Sequence, residues 1–239
     1  MVHVVEKPEN VARRGAARRA VVTGSSSGIG KAIAVRLVEE GWSVVGLDKA
    51  SDESAENFRA FTVDLTDFDM LADVLAGIGE TDALVHAAGF MRTAPLGELN
   101  ADDGAAMWRV HVAAAALIAD ALLPKMRQGG RIVLIGSRTA NGAAGRSQYA
   151  AAKAAMVGMA RSWAAELAPK GITVNVVAPA ATETPMLGDP ARGATPPKRP
   201  PIGRFVRAEE VAALTAFLLA PEASAITGQQ IAICGGSSL

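Results

Sequence analysis

Apolar, β-branched runs alternate along the chain with longer stretches of helical periodicity. The runs predict strands at Arg19–Thr23, Ser43–Leu47, Phe61–Val63, Ala83–His86, Arg131–Ile135, Ile172–Val177 and Gln230–Ile233. Between them, apolar residues recur at helical spacing over Gly28–Glu40, Asp67–Ile78, Asp102–Arg127, Ser147–Leu167 and Ala208–Leu219. Such alternation implies parallel strands joined by crossover helices. Several strands, Ile132-Val133-Leu134-Ile135 among them, are apolar at every position, which suits a sheet covered on both faces. The expected fold is α/β, a parallel sheet covered by helices on both faces. No internal repeat interrupts it.

Two segments fall outside this pattern. Residues 1–17 carry an Arg/Ala-rich patch and read as a flexible N-terminal extension. Gly188 to Pro201 holds five prolines, which excludes regular helix or a central strand. With its flanks, residues 188–206, it is either a substrate loop that acts as a lid or a plain connector. No apolar run approaches the ~18 residues of a membrane span; the longest, Val112 to Leu123, is broken by Asp120.

Composition narrows the function classes. The formal net charge is zero, so nothing overall favours nucleic acid or an anionic membrane surface. The single cysteine, Cys234, excludes an intramolecular disulfide and a cysteine-rich metal site. It reads as a small buried hydrophobe and fits a reducing cytoplasm. No metal is expected.

The first strand runs into Thr23-Gly24-Ser25-Ser26-Ser27-Gly28-Ile29-Gly30, followed by a helical pattern. Glycines there allow a tight turn and close approach of backbone to a pyrophosphate, and the helix start offers free N–H groups to the anion. The spacing is G-x-x-x-G-x-G, without the Gly-Lys-Ser/Thr of a P-loop. Asp48 ends the second strand, 18 residues beyond Gly30. An acid there can accept hydrogen bonds from ribose hydroxyls and would repel a 2′-phosphate, which favours NAD over NADP. Lys49 next to it could tolerate the phosphate.

The only tyrosine, Tyr149, stands four residues before Lys153 in the alanine-rich helix. Those positions share one helix face. A fixed ammonium favours a tyrosinate, and a phenol so tuned can take a proton from an alcohol or return it to an alkoxide. Ser137 follows the strand Arg131–Ile135, at the strand end where ligands sit in open α/β sheets. Its hydroxyl could bond a substrate oxygen, with Arg138 and Thr139 as neighbours able to take its place.

From Arg19 to the C-terminus, these motifs resemble the short-chain dehydrogenase/reductase family. Thr23 to Gly30 is similar to the family's T-G-x-x-x-G-I-G turn. Asp64-Leu65 resembles its adenine-contacting pair, and His86-Ala87-Ala88-Gly89 its Asn-Asn-Ala-Gly segment. Ser137, Tyr149 and Lys153 match the serine and the Y-x-x-x-K pair. Asn175 to Pro179 and Thr184-Pro185-Met186 look like the stretch at the nicotinamide end, and Gly228 and Gly235-Gly236 flank a strand similar to the family's last.

The resemblance implies one doubly wound Rossmann-type domain with a seven-stranded parallel sheet flanked by helices. It implies hydride transfer between a nicotinamide and a secondary alcohol or ketone. Tyr149 would be acid/base, Lys153 would hold the nicotinamide ribose and lower the tyrosine pKa, and Ser137 would orient the substrate oxygen. Cofactor contacts would come from Gly24, Ser26, Ser27, Gly28, Ile29, Gly30, Asp48, Lys49, Asp64, Leu65, Ala87, Ala88, Gly89, Tyr149, Lys153, Pro179, Ala180, Thr182 and Thr184. Substrate contacts would come from Phe90, Arg92, Thr139, Arg146 and Met186. A homotetramer, or a dimer, is implied, with Ala151, Ala154, Ala155 and Gly158 suited to close helix contact.

Three residues depart from the pattern. His111 replaces an asparagine whose backbone carbonyl holds a water in the proton path; the histidine either leaves that carbonyl at work, joins the relay itself or impairs catalysis. Ala180 stands where glycine follows proline, and His86 where asparagine is usual. Two other readings stand beside the enzyme: a non-catalytic dinucleotide-binding regulator of the same fold and, more narrowly, a cyclic dihydrodiol dehydrogenase.

Overall fold

A computed structural model describes residues 17–50, 54–192 and 195–239. Residues 1–16, which carry most of the expected N-terminal extension, lie outside the described residues. The elements follow in order: β1 (Arg19–Thr23), α1 (Gly28–Glu39), β2 (Ser43–Asp48), β3 (Phe58–Thr62), α2 (Phe68–Ala76), β4 (Thr81–His86), α3 (Ala101–Trp108), α4 (Ala114–Leu122), β5 (Met126–Ile135), α5 (Ser147–Leu167), β6 (Thr173–Pro179), β7 (Thr182–Glu183), β8 (Val206–Arg207), α6 (Ala208–Leu219) and β9 (Gln230–Ile233).

Seven strands form one parallel sheet in the order β3-β2-β1-β4-β5-β6-β9, and β7 and β8 pair separately. The strand order reverses beside β1, and the crevice above that switch point is where open α/β sheets bind ligands. Successive strand residues point to opposite faces, so a run apolar at every position feeds two cores at once. Val21, Leu84, Ile132, Leu134 and Val176 join one core with Leu71 of α2, Ile118 and Leu122 of α4, and Met156 and Ala160 of α5. Ala20, Val22, Val85, Val133 and Val177 join the other, with Ile33 and Leu37 of α1 and Val211 and Leu219 of α6. This is the doubly wound arrangement that the family resemblance implies.

Several features differ from the sequence expectation. β3 begins at Phe58 because β2 pairs with it from Val44↔Phe58 to Asp48↔Thr62. The long helix expected over 102–127 ends as α-helix at Leu122, passes through a 3₁₀ turn with Pro124, and gives Met126 and Arg127 to β5. It is also broken earlier by a π-helical turn, Arg109–Ala113. Finally, the stretch Ala101–Lys125 is long and apolar enough to cross a membrane by length and composition, although no such span was expected. Here Ala114, Ala115, Ile118, Ala119 and Leu122 are buried on the sheet. Cys234 follows β9 and is half-buried rather than enclosed.

Candidate active site

Above the carboxyl ends of the strands lies a cavity of about 1060 Å³. The glycine turn, the ends of β2 and β4, the π-helical turn, β5, α5 and the loop after β6 all contribute to its wall.

At one end the chain turns from β1 into α1. Gly24 has φ of 70°, and a Cβ there would stand 2.9 Å from the Ala88 backbone. A Cβ on Gly30 would overlap the Gly24 carbonyl. These two glycines are therefore required by the chain's own packing as well as by any ligand. Ser27 caps α1 in extended conformation without a side-chain bond to its N–H groups, and the first turn carries no acid. Ser27, Gly28, Ile29 and Gly30 line the cavity, so the helix start presents unneutralised donors to an anion. That donor set fits a pyrophosphate.

Asp48 lies on the same wall. Its carboxylate accepts from Ser26 N at 3.1 Å and from Ala50 N at 3.0 Å, which fixes it at the cavity edge. Ser26 thus supports the acid through its backbone; it is not among the lining residues. Lys49, Asp64 and Leu65 line the cavity next to it. Thr66 donates to Asp64 from both backbone and hydroxyl, and these bonds hold the Asp64 carboxyl below its usual range. Carboxylates here can accept ribose hydroxyls. The residues present fit a nicotinamide dinucleotide.

At the other end Ser137, Tyr149 and Lys153 meet, all buried and all lining the cavity. Ser137 leaves β5 in extended conformation, and its Oγ accepts from Thr139 N at 3.1 Å. Lys153 is buried one helical turn beyond Tyr149, and its Nζ donates to the Ile135 carbonyl at 2.7 Å. Burial pulls the Lys153 pKa down to about 7. Burial also raises the Tyr149 phenol, against the lowering influence of the Ser137 hydroxyl, Arg192 and Arg146. The sequence expectation ran the other way, with an ammonium lowering the phenol. The ammonium is itself weakened by the same dry surroundings, and Nζ stands 5.8 Å from the ring centre.

His111 occupies the π-helical turn and packs edge-on against Tyr149, ring centres 5.6 Å apart. Single π-turns of this kind often mark functional positions. The His111 Nε2 donates to Phe90 O at 2.9 Å, which leaves a buried Nδ1 with no partner among the described residues. Burial keeps the ring neutral at ordinary pH. His86 is different. Thr23 Oγ1 accepts from Ala87 N and Ala88 N, so its proton goes to His86 Nδ1 at 3.0 Å. Nε2–H then donates to Val110 O at 3.1 Å, and burial lowers the pKa to about 3. His86 is a neutral, packed strand-end histidine off the cavity wall.

Ala87, Ala88, Gly89, Phe90, Thr139, Arg146, Pro179, Ala180, Thr182, Thr184 and Met186 line the cavity as expected from the sequence. Arg92 does not. Its guanidinium pairs with Asp189 at 3.3 Å and lies over the Phe90 ring at 5.1 Å, outside the lining set. Asn175 is also elsewhere, tying β6 to the segment before β9 through Ile226 O and Gln229 N. Arg192 is the residue that sequence reading passes over. It sits in the proline-rich segment, where no periodicity marks an inward position, yet it is buried on the cavity wall. Thr195, Pro196, Pro197, Lys198 and Arg199 of that segment also line the cavity.

Comparison with known proteins agrees with this geometry. Residues 24–238 match a family described as Enoyl-(Acyl carrier protein) reductase. The chain is 38% identical over 234 residues to the 3-oxoacyl-[acyl-carrier-protein] reductase FabG of Salmonella typhimurium, covering 91% of this chain and 96% of that one. It is 36% identical over 240 residues to the protein of the same description from Thermotoga maritima, covering 90% and 96%. A short-chain dehydrogenase from Burkholderia cenocepacia J2315, solved in complex with NADP, superposes with a TM-score of 0.81 at 36% identity, covering 93% of this chain and 98% of that one. Sheet order, glycine turn and the Ser137, Tyr149 and Lys153 cluster converge with these likenesses: the chain belongs to the short-chain dehydrogenase/reductase family of NAD(P)-dependent oxidoreductases.

Proposed function

We propose that the protein interconverts a secondary alcohol and a ketone with NAD, using Tyr149 as acid/base. The observation that carries this reading is the meeting of Ser137, Tyr149 and Lys153 on the wall of one cavity whose far end holds a bare helix start and Asp48. Bound there, a nicotinamide cofactor supplies or accepts the hydride at the carbinol carbon. The residues of the chain do the rest. Ser137 holds the substrate oxygen, and Tyr149 gives or takes its proton. Lys153, brought to about 7 by burial, bonds the ribose one helical turn from Tyr149. Backbone N–H groups from Ser27 to Gly30 bind the pyrophosphate, and Thr184, beside Gly28, closes the nicotinamide end.

NAD is preferred in this reading because the Asp48 carboxylate, fixed by Ser26 N and Ala50 N, opposes a 2′-phosphate. The NADP complex of the Burkholderia relative makes this preference a point of test. Residues 188–206 act as the substrate loop, supported by Arg192 and Thr195 to Arg199 on the wall. The assembly is a homotetramer, supported by small residues Ala151, Ala154 and Gly158 exposed along α5. The lone thiol Cys234 suits the cytoplasm.

The test is nicotinamide absorbance with purified protein, both cofactors and a panel of cyclic and aromatic secondary alcohols. Turnover that Tyr149→Phe abolishes while NAD still binds supports the reading. Full activity in Tyr149→Phe overturns it.

A further inference from the structure

Arg192 is a buried cation whose surroundings do not account for it. Its side chain is 7% exposed on the wall of the catalytic cavity. One guanidinium nitrogen, Nη1, donates to Met186 O at 2.9 Å, and Nε is buried with no partner among the described residues. A buried guanidinium is costly unless it is paired and its donors are satisfied.

A second arginine stands with it. Arg146 Nε and Nη2 donate to Thr195 Oγ1 and O at 3.2 and 3.1 Å, and Thr195 N donates in turn to Arg192 O at 2.9 Å. The proline-rich loop is thereby fastened to the start of α5, just ahead of Tyr149. Gly145 permits this, since a Cβ there would come within 2.7 Å of the Thr195 methyl. Burial first, and then the charges of Arg192 and Arg138, push the Arg146 guanidinium below its usual range, and both Arg192 and Arg146 act electrostatically on Tyr149. The cavity's acids, Asp48 and Asp64, belong to the adenosine end. The described lining residues thus include four arginines, Arg138, Arg146, Arg192 and Arg199, and no acid besides Asp48 and Asp64.

We propose that Arg192 and Arg146 form a carboxylate-binding subsite, so that the substrate is a secondary alcohol or ketone bearing a carboxylate close to the carbinol carbon. Two guanidinium groups on one wall, close enough to act on each other electrostatically and one of them with an unpartnered Nε, supply the planar donors that a carboxylate accepts. This deepens the oxidoreductase reading and rests on it for the identity of the reacting group. The arginines' preference for an anion is separable from that reading.

The test is calorimetric titration of the full chain with benzoate and with benzamide, equal in shape and different in charge, in the presence and absence of NAD. Benzoate should bind about tenfold or more tightly than benzamide. Arg192→Met should erase that difference and leave NAD affinity within about twofold. Arg146→Met carries the same expectation should Arg192→Met fail to fold, and Arg192→Lys should keep part of the preference. Equal binding of the two probes, or no binding of benzoate, overturns the proposal. So does an Arg192→Met protein that loses NAD and keeps its benzoate preference, which would assign the arginines to a cofactor phosphate. Failure of NAD to bind at all would sink the dinucleotide reading, while benzoate against benzamide on the protein alone would still decide the subsite.

Discussion

Asp48, Lys49 and Asp64, at one end of the cavity, are reached by water; Ser137, Tyr149, Lys153 and His111, at the other, are almost sealed from it. The open end presents backbone N–H groups and carboxylates whose hydrogen bonds are local, as in Asp64 with Thr66. At the sealed end the dominant influence is desolvation, which raises Tyr149, lowers His111 and brings Lys153 to about 7. The difference teaches that one cavity holds two dielectric regimes. Charge is tolerated where water screens it, and proton affinity is tuned where water is excluded.

The strongest way to break this comparison is at Tyr149. Tyr149→Phe should lower kcat by about a thousandfold or more, with NAD affinity unchanged in a fluorescence titration. Comparable loss of NAD binding would mean that the two ends are not separable.

Lys153 tests whether the sealed end is as dry as its burial indicates. Its folded pKa, about 7, lies below the ordinary 10.5. Between those values the unfolded chain binds a proton that the folded chain does not, so stability rises with pH across that window and levels off below about 7. Denaturant unfolding of wild type minus Lys153→Met should show a slope approaching about 1.4 kcal/mol per pH unit there. A flat difference would place Lys153 in contact with water.

At the open end, Gly30→Ala should destabilise the fold by about 2–3 kcal/mol, because the added methyl meets the Gly24 carbonyl. A neutral result in thermal unfolding would show that the turn can shift, leaving ligand approach as the reason for glycine. The smallest effect expected is at Asp48. Asp48→Asn keeps the shape and removes the charge, and should move the NAD:NADP ratio of kcat/KM toward NADP by about tenfold. An unchanged ratio would remove Asp48 as the selector.

The succession of strands and helices, the glycine turn and the Tyr149–Lys153 spacing were legible because they depend on local pattern. A parallel strand covered on both faces must be apolar throughout, and residues four apart on a helix must share a face. Arg92 and Arg192 were not legible in this way. Both sit outside regular elements, where sequence carries no inward or outward phase. Arg92 turned to Asp189 and Phe90, while Arg192 turned to Met186 and the cavity wall.

The sequence by itself determined which elements form, in what order, and which chemical groups stand at the strand ends. Only the tertiary structure decided how those groups titrate and which of two loop arginines reaches the site. The physical reason is that propensity and periodicity act over a few residues, whereas burial and long-range charge depend on segments far apart in the chain. Arg146 and Thr195, joined across 49 positions, exist as neighbours only once the sheet has set the ends of its strands side by side.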